Sequence, residues 1–115
     1  MMREKVVNMP CAGRDGRVLE GRLLLQPTST LGVIVCHPYG MLGGNLHNNV
    51  VVAVTKALGD AGFTTLRFNF RGVGRSSGRG TWRGDGEMED LRTAIRFLCE
   101  MQGGPKHIIL IGELV

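Results

Sequence analysis

The spacing of apolar positions along the chain changes several times, and each change marks an element. Residues 5–9 and 18–25 read as two strands joined by CAGRDGR, in which Asp15-Gly16 is a hairpin-turn dipeptide. GVIVC, residues 32–36, is a short continuous apolar run, the form of a strand buried on both faces. From residue 46 to residue 61 the period becomes helical, with Val50, Val54, Ala57 and Ala61 forming one stripe. Asn45 is placed to cap this helix and Gly62 to end it in a left-handed conformation. Residues 63–70 form the next strand. A second helix is predicted over 87–101, with Met88, Leu91, Ile95 and Leu98 on one face. Asp85, Glu87, Glu89 and Asp90 crowd its start, where the helix dipole favours anions. Gly103, Gly104 and Pro105 stop it, and HIILI, residues 107–111, is the last strand. Two strands followed by β-α-β-α-β predict an α/β fold. Its sheet is mixed, with about five strands, a parallel core and two right-handed crossover helices.

Composition narrows this picture. A chain of 115 residues is at most one domain of ordinary size, 1–115, and its 43% apolar and 21% charged residues suit a globular protein. The three cysteines, Cys11, Cys36 and Cys99, are odd in number and form no CxxC, which favours a reduced, cytoplasmic setting over a disulfide framework or a zinc site. MMREKVVNMP has no apolar signal core, and runs such as VVVAV and IILI are far shorter than a membrane span. The net charge of +4 is mild, yet Arg67, Arg71, Arg75, Arg79 and Arg83 fall within one short region.

Two loops carry candidate chemistry. CHPYGMLGGNLHNN follows the third strand, and loops at the carboxyl ends of parallel strands are where α/β proteins bind ligands; a plain connection into a helix is the alternative. Cys36 and His37 invite a nucleophile–base pair. Neighbours on a strand point to opposite faces, however, so Cys36 reads as a small core residue. The second loop, NFRGVGRSSGRGTWRGDG, is rich in Gly but lacks the dinucleotide fingerprint, because neither Gly72-x-Gly74 nor Gly78-x-Gly80 is followed by a glycine at the third place. Its Arg/Gly spacing could bind RNA, but the stretch is short, bounded by strong elements and holds one aromatic, Trp82, which favours a solvated loop. His37, His47 and His107 form no metal cluster by spacing; His47 fits the first helical turn and His107 the start of the last strand.

Taken together, VIVCHPYG, Gly43-Gly44, LGDAGFTTLRFNFRGVGRSSG and DGEMEDLRTAIRFL before HIILIG resemble the first half of an α/β-hydrolase, most closely the small dienelactone-hydrolase or serine-aminopeptidase type. The resemblance implies a serine nucleophile, a histidine base, a carboxylate and an acyl-enzyme intermediate, with no cofactor. It implies that the loop after the third strand donates a backbone N–H to the oxyanion. Pro38 has no N–H, so the backbone of Tyr39 is the candidate donor, with His37 in support. Pro38, Gly40, Arg71 and Ser76 are implied to line the substrate site, with Asn69 and Arg71 bracing it.

The family's next feature is the elbow Gly-x-Ser-x-Gly. Gly112 fits its first glycine, but the nucleophile place holds Leu114, and neither acid nor base is found in their expected positions. Ser76 and Ser77 stand on another loop. The expectation is a truncated domain, inactive alone, whose relatives hydrolyse ester, thioester or peptide-like acyl bonds of small molecules. Gly-Glu is compatible with read-through of a splice donor after Gly112, and an incomplete gene is the alternative. A last strand left as an apolar edge invites self-association and poor solubility. Two rivals remain: a non-catalytic interaction protein that pairs through this edge, and an RNA-binding module using the Arg/Gly loop.

Overall fold

The structure, a computed structural model, describes residues 3–13, 16–38, 44–81 and 83–112. Five strands and two helices follow in the expected order: β1 (Lys5–Pro10), β2 (Val18–Leu24), β3 (Leu31–Cys36), α1 (Asn49–Asp60), β4 (Thr64–Phe68), α2 (Asp85–Glu100) and β5 (His107–Gly112). They form one mixed sheet of order β1-β2-β4-β3-β5. β1 and β2 pair antiparallel, as do β2 and β4, whereas β3 runs parallel to both β4 and β5. The predicted parallel core is therefore β4-β3-β5, flanked on one side by the opening hairpin.

Alternation along the strands sorts two cores. Leu19, Leu23, Ile34, Leu66 and Phe68 turn to one face and pack with Ala94 and Leu98 of α2. Val33 and Val35 turn to the other and meet Val51 of α1. β3 contributes to both cores and β4 is buried throughout, which is the reason both read as continuous apolar or β-branched runs.

α1 turns a different stripe inward from the one the periodicity suggests, and α2 departs from its predicted face only at Met88. Asn48, not Asn45, caps α1: its side chain accepts from the N–H groups of Val50 and Val51. Asn45 instead holds a turn before the helix, accepting from the N–H of His47, so His47 precedes the helix rather than lying in its first turn. The buried stripe is accordingly Val51, Thr55 and, partly, Val54 and Leu58; Val50 is 49% exposed and Ala57 and Ala61 face out. In a run of consecutive valines, period alone cannot choose between neighbouring stripes, and the cap decides. Gly62 does take the left-handed conformation, with φ 99°. On α2, Leu98 is buried and Leu91 and Ile95 pack against the core, but Met88 is 53% exposed. Its place on the inner face is taken by Gly86 and Asp90, because Asp90 has a buried partner.

β5 pairs with β3 along one edge, and among the described residues its other edge has no strand beside it. Ile109 and Leu110, neighbours that point to opposite faces, are each 46% exposed. No helix of the described residues is long and apolar enough to cross a membrane.

Candidate active site

Parallel strands β3, β4 and β5 all end at one side of the sheet, so the loops after β3 and β4 meet there. Each loop is pinned by polar atoms that have been withdrawn from water.

The loop after β3 begins with His37, which is buried. Its Nε2 accepts from the N–H of Phe70, 3.1 Å away, and its Nδ1 lies 2.5 Å from the Pro38 carbonyl. A carbonyl only accepts and an N–H only donates, so the neutral tautomer with the proton on Nδ1 satisfies both. Burial lowers the histidine's pKa, opposed by the hydrogen bond to Pro38. The ring also stands edge-on to Phe70, with centroids 5.1 Å apart. The loop closes upon itself at Gly44, where an added Cβ would lie 2.1 Å from the Pro38 carbonyl oxygen, so only glycine fits. Its far end is Leu46, fully buried, whose N–H donates to Asn69 Oδ1 at 2.7 Å and whose carbonyl accepts from Arg67 Nη1 at 2.5 Å. Arg67 is held in turn by the bidentate carboxylate of Glu4. The candidate donor Tyr39 and the candidate lining residue Gly40 lie outside the described residues, while Pro38 stands buried at the neck of the loop.

The loop after β4 is pinned at three places. Ser76 Oγ donates to the Asn69 carbonyl at 2.6 Å and accepts from the N–H of Glu20 at 2.9 Å. Arg71 grips Asp90 of α2 through Nε and Nη2, and its own N–H reaches the same carboxylate at 2.8 Å. Thr81 donates to Glu87 through both its N–H and its hydroxyl, and its Oγ1 accepts from the N–H of Gly86, closing the start of α2. Burial works against the charge of Glu87, but the bonds from Thr81 prevail and lower its pKa. The Arg71 and Ser76 side chains are thus committed to internal partners. Arg75, Arg79 and Arg83 are exposed.

Cys36 and His37 do not form a dyad: both ring nitrogens of His37 are bonded elsewhere, and Cys36 packs beside the α2 core. Burial pushes the Cys36 thiol up to about 11, so it stays protonated at neutral pH. Among the described residues no group of His, Cys, Asp and Glu is placed to hold a metal ion.

Asp90 and Glu20 were not singled out as site residues by sequence reasoning. Asp90 had a signal, because it lies three, four and eight places before Thr93, Ala94 and Leu98 and so falls on the buried face. Glu20 had only its position in an otherwise half-apolar strand.

The sequence matches the alpha/beta hydrolase fold family over residues 33–113. It is 36% identical over 101 residues to an uncharacterized protein of Rickettsia prowazekii, covering 87% of this chain and 42% of that one. Among solved structures, it is similar to an alpha-beta serine hydrolase homologue from Coxiella burnetii, at TM-score 0.80 and 33% identity, over 97% of this chain and 52% of that one. A lidless serine hydrolase from Xanthomonas campestris matches at TM-score 0.80 and 32% identity, over 96% and 50%. The Pyrococcus furiosus esterase Pf2001 matches at TM-score 0.81 and 27% identity, over 96% and 42%. The chain thus spans about half the length of these relatives. With its strand order, its two pinned loops and these likenesses together, the chain belongs to the alpha/beta hydrolase family.

Proposed function

We propose that this chain carries the oxyanion-side half of a serine hydrolase that acts on ester, thioester or peptide-like acyl bonds. The observation that supports this reading is the double anchoring of the loop after β3, by His37 at one end and Leu46 at the other. An oxyanion donor acts when its position is set before charge develops on the substrate, and one such donor contributes about 3–4 kcal/mol of transition-state stabilisation. Tyr39 is the candidate donor. The nucleophile, base and acid are not supplied by these 115 residues, whose place for the nucleophile holds Leu114, so the 115-residue polypeptide is inactive by itself.

Labelling with a fluorophosphonate probe tests this. The 115-residue polypeptide should take up no label, and a longer form that continues Gly112 into Gly-x-Ser-x-Gly should be labelled on that serine. Labelling of Ser76 or Ser77, or a longer form inert to probe and ester alike, would reject the reading.

The exposed apolar edge of β5 favours a second reading, a non-catalytic partner that pairs through that strand. Co-purification with a full-length homologue at fixed stoichiometry, without hydrolysis, is what it requires.

A further inference from the structure

We infer that Glu20 is a positioning residue: through Asn69 and Arg75 it locks the end of the β3–α1 loop to the β4–α2 loop. The functional meaning rests on the hydrolase reading above, but the anchoring rests on hydrogen bonds alone.

Glu20 and Asn69 stand opposite each other at the end of the β2–β4 pairing, where the Asn69 N–H donates to the Glu20 carbonyl at 2.9 Å. The Glu20 side chain points into a site where the residue is only 8% exposed. A carboxylate there is tolerable only if its oxygens are hydrogen-bonded. Oε1 accepts from Asn69 Nδ2 at 2.7 Å and from the N–H of Arg75 at 2.8 Å, and Oε2 lies 3.8 Å from Arg22. A carboxylate can only accept, so the Asn69 amide must present its NH2 to Glu20. That requirement turns the amide oxygen toward the N–H of Leu46. One carboxylate therefore selects the orientation of the side chain that ties down the first loop, and binds the backbone of the second directly. Gly74 shows how closely the second loop is drawn in: an added Cβ would lie 2.4 Å from Asn69 Nδ2 and 2.7 Å from Glu20 Oε1.

Residue-resolved amide exchange on the 115-residue chain tests the inference. The variants are Glu20→Ala, Glu20→Asp and Glu20→Gln, with Leu19→Ala as a control that loosens the core without touching the knot. Glu20→Ala should speed exchange at Leu46 and Arg75 about tenfold more than Leu19→Ala does at equal loss of global stability. Glu20→Asp keeps the charge but withdraws the acceptor, and should do likewise. Glu20→Gln restores the acceptor and should recover most of the protection. If Glu20→Ala does not fold, the Asp and Gln variants decide. The inference fails if Leu46 and Arg75 respond to Glu20 variants only as they do to Leu19→Ala, or if Asp protects as well as Glu. Exchange needs no catalysis, so an absence of acyl turnover in a longer form would count against the hydrolase reading and not against this one.

Discussion

Arg71 and Asp90 are locked together at the junction of the β4 loop and α2: Nη2 and Nε lie 2.9 and 3.1 Å from Oδ1, and Asp90 is 1% exposed. An ion pair withdrawn from water this far contributes little net stability as a pair, but removing one member strands the other. Arg71→Ala should therefore destabilise by about 3–5 kcal/mol. Arg71→Met combined with Asp90→Leu should cost clearly less than the two single changes added. Urea unfolding of the parent, Arg71→Ala, the two single changes and the double variant checks this, and an Arg71→Ala variant within about 1 kcal/mol of the parent would contradict it.

His37 makes stability depend on pH in a stated direction. Its folded pKa lies below the ordinary 6.5, chiefly because it is buried, so the folded state resists the proton that the unfolded state accepts. Protonation would also remove the acceptor used by the Phe70 N–H. Stability held above about pH 6.5 is lost as pH falls from there toward the folded pKa, and no more is lost to this group below it. His37→Asn should flatten that slope relative to the parent in unfolding curves taken between pH 7.5 and about 5. Parallel curves would disprove the assignment.

Gly74 and Gly62 separate two reasons for glycine. Both have positive φ, 53° and 99°, but a Cβ at Gly74 collides with Asn69 and Glu20, whereas at Gly62 it meets open space. Gly62→Ala should cost about 1 kcal/mol, the backbone strain alone. Gly74→Ala should cost about 2 kcal/mol or more, because the polar knot must also move. Equal melting temperatures for the two variants would deny the crowding at Gly74.

The cysteines should differ in reactivity. Cys99 is exposed, while the Cys36 thiol is partly buried and pushed up to about 11. An alkylating reagent at pH 7.5 should modify Cys99 in the folded protein well before Cys36, as read by peptide mass spectrometry. Preferential modification of Cys36 would restore it as a candidate nucleophile.

The β5 edge predicts solution behaviour. The isolated 115-residue polypeptide should self-associate, and Ile109→Lys with Leu110→Glu should raise its monomer fraction in size-exclusion chromatography. A parent that elutes as a monodisperse monomer at high concentration would dispose of this expectation.

The order of elements along the chain and the α/β class were legible because apolar runs such as GVIVC and HIILI report burial directly, whereas the order of strands in the sheet was not. The helix faces were less so. In VVVAV every position is apolar, so the stripe that turns inward depends on where Asn48 caps the helix. Met88 looked like a core residue because an acid at position 90 was read as a dipole partner, when Arg71 had brought it inside. The anchoring role of Glu20 was illegible for the same reason. A carboxylate becomes an interior residue only once Asn69 and Arg75, distant in sequence, supply its hydrogen bonds.

The order β1-β2-β4-β3-β5 also has a consequence in time. β3 is paired along both edges, yet both of its neighbours come after it in the chain. As residues emerge from a ribosome, the opening hairpin can close early, but β3 gains its first partner only when β4 appears and its second only with β5, after His107. At about 5–20 residues per second, that is a wait of several seconds for the chain's most apolar strand. Until β4 emerges β3 has no partner strand, and until β5 emerges one of its edges stays open, the state in which a strand is most prone to pair with another chain.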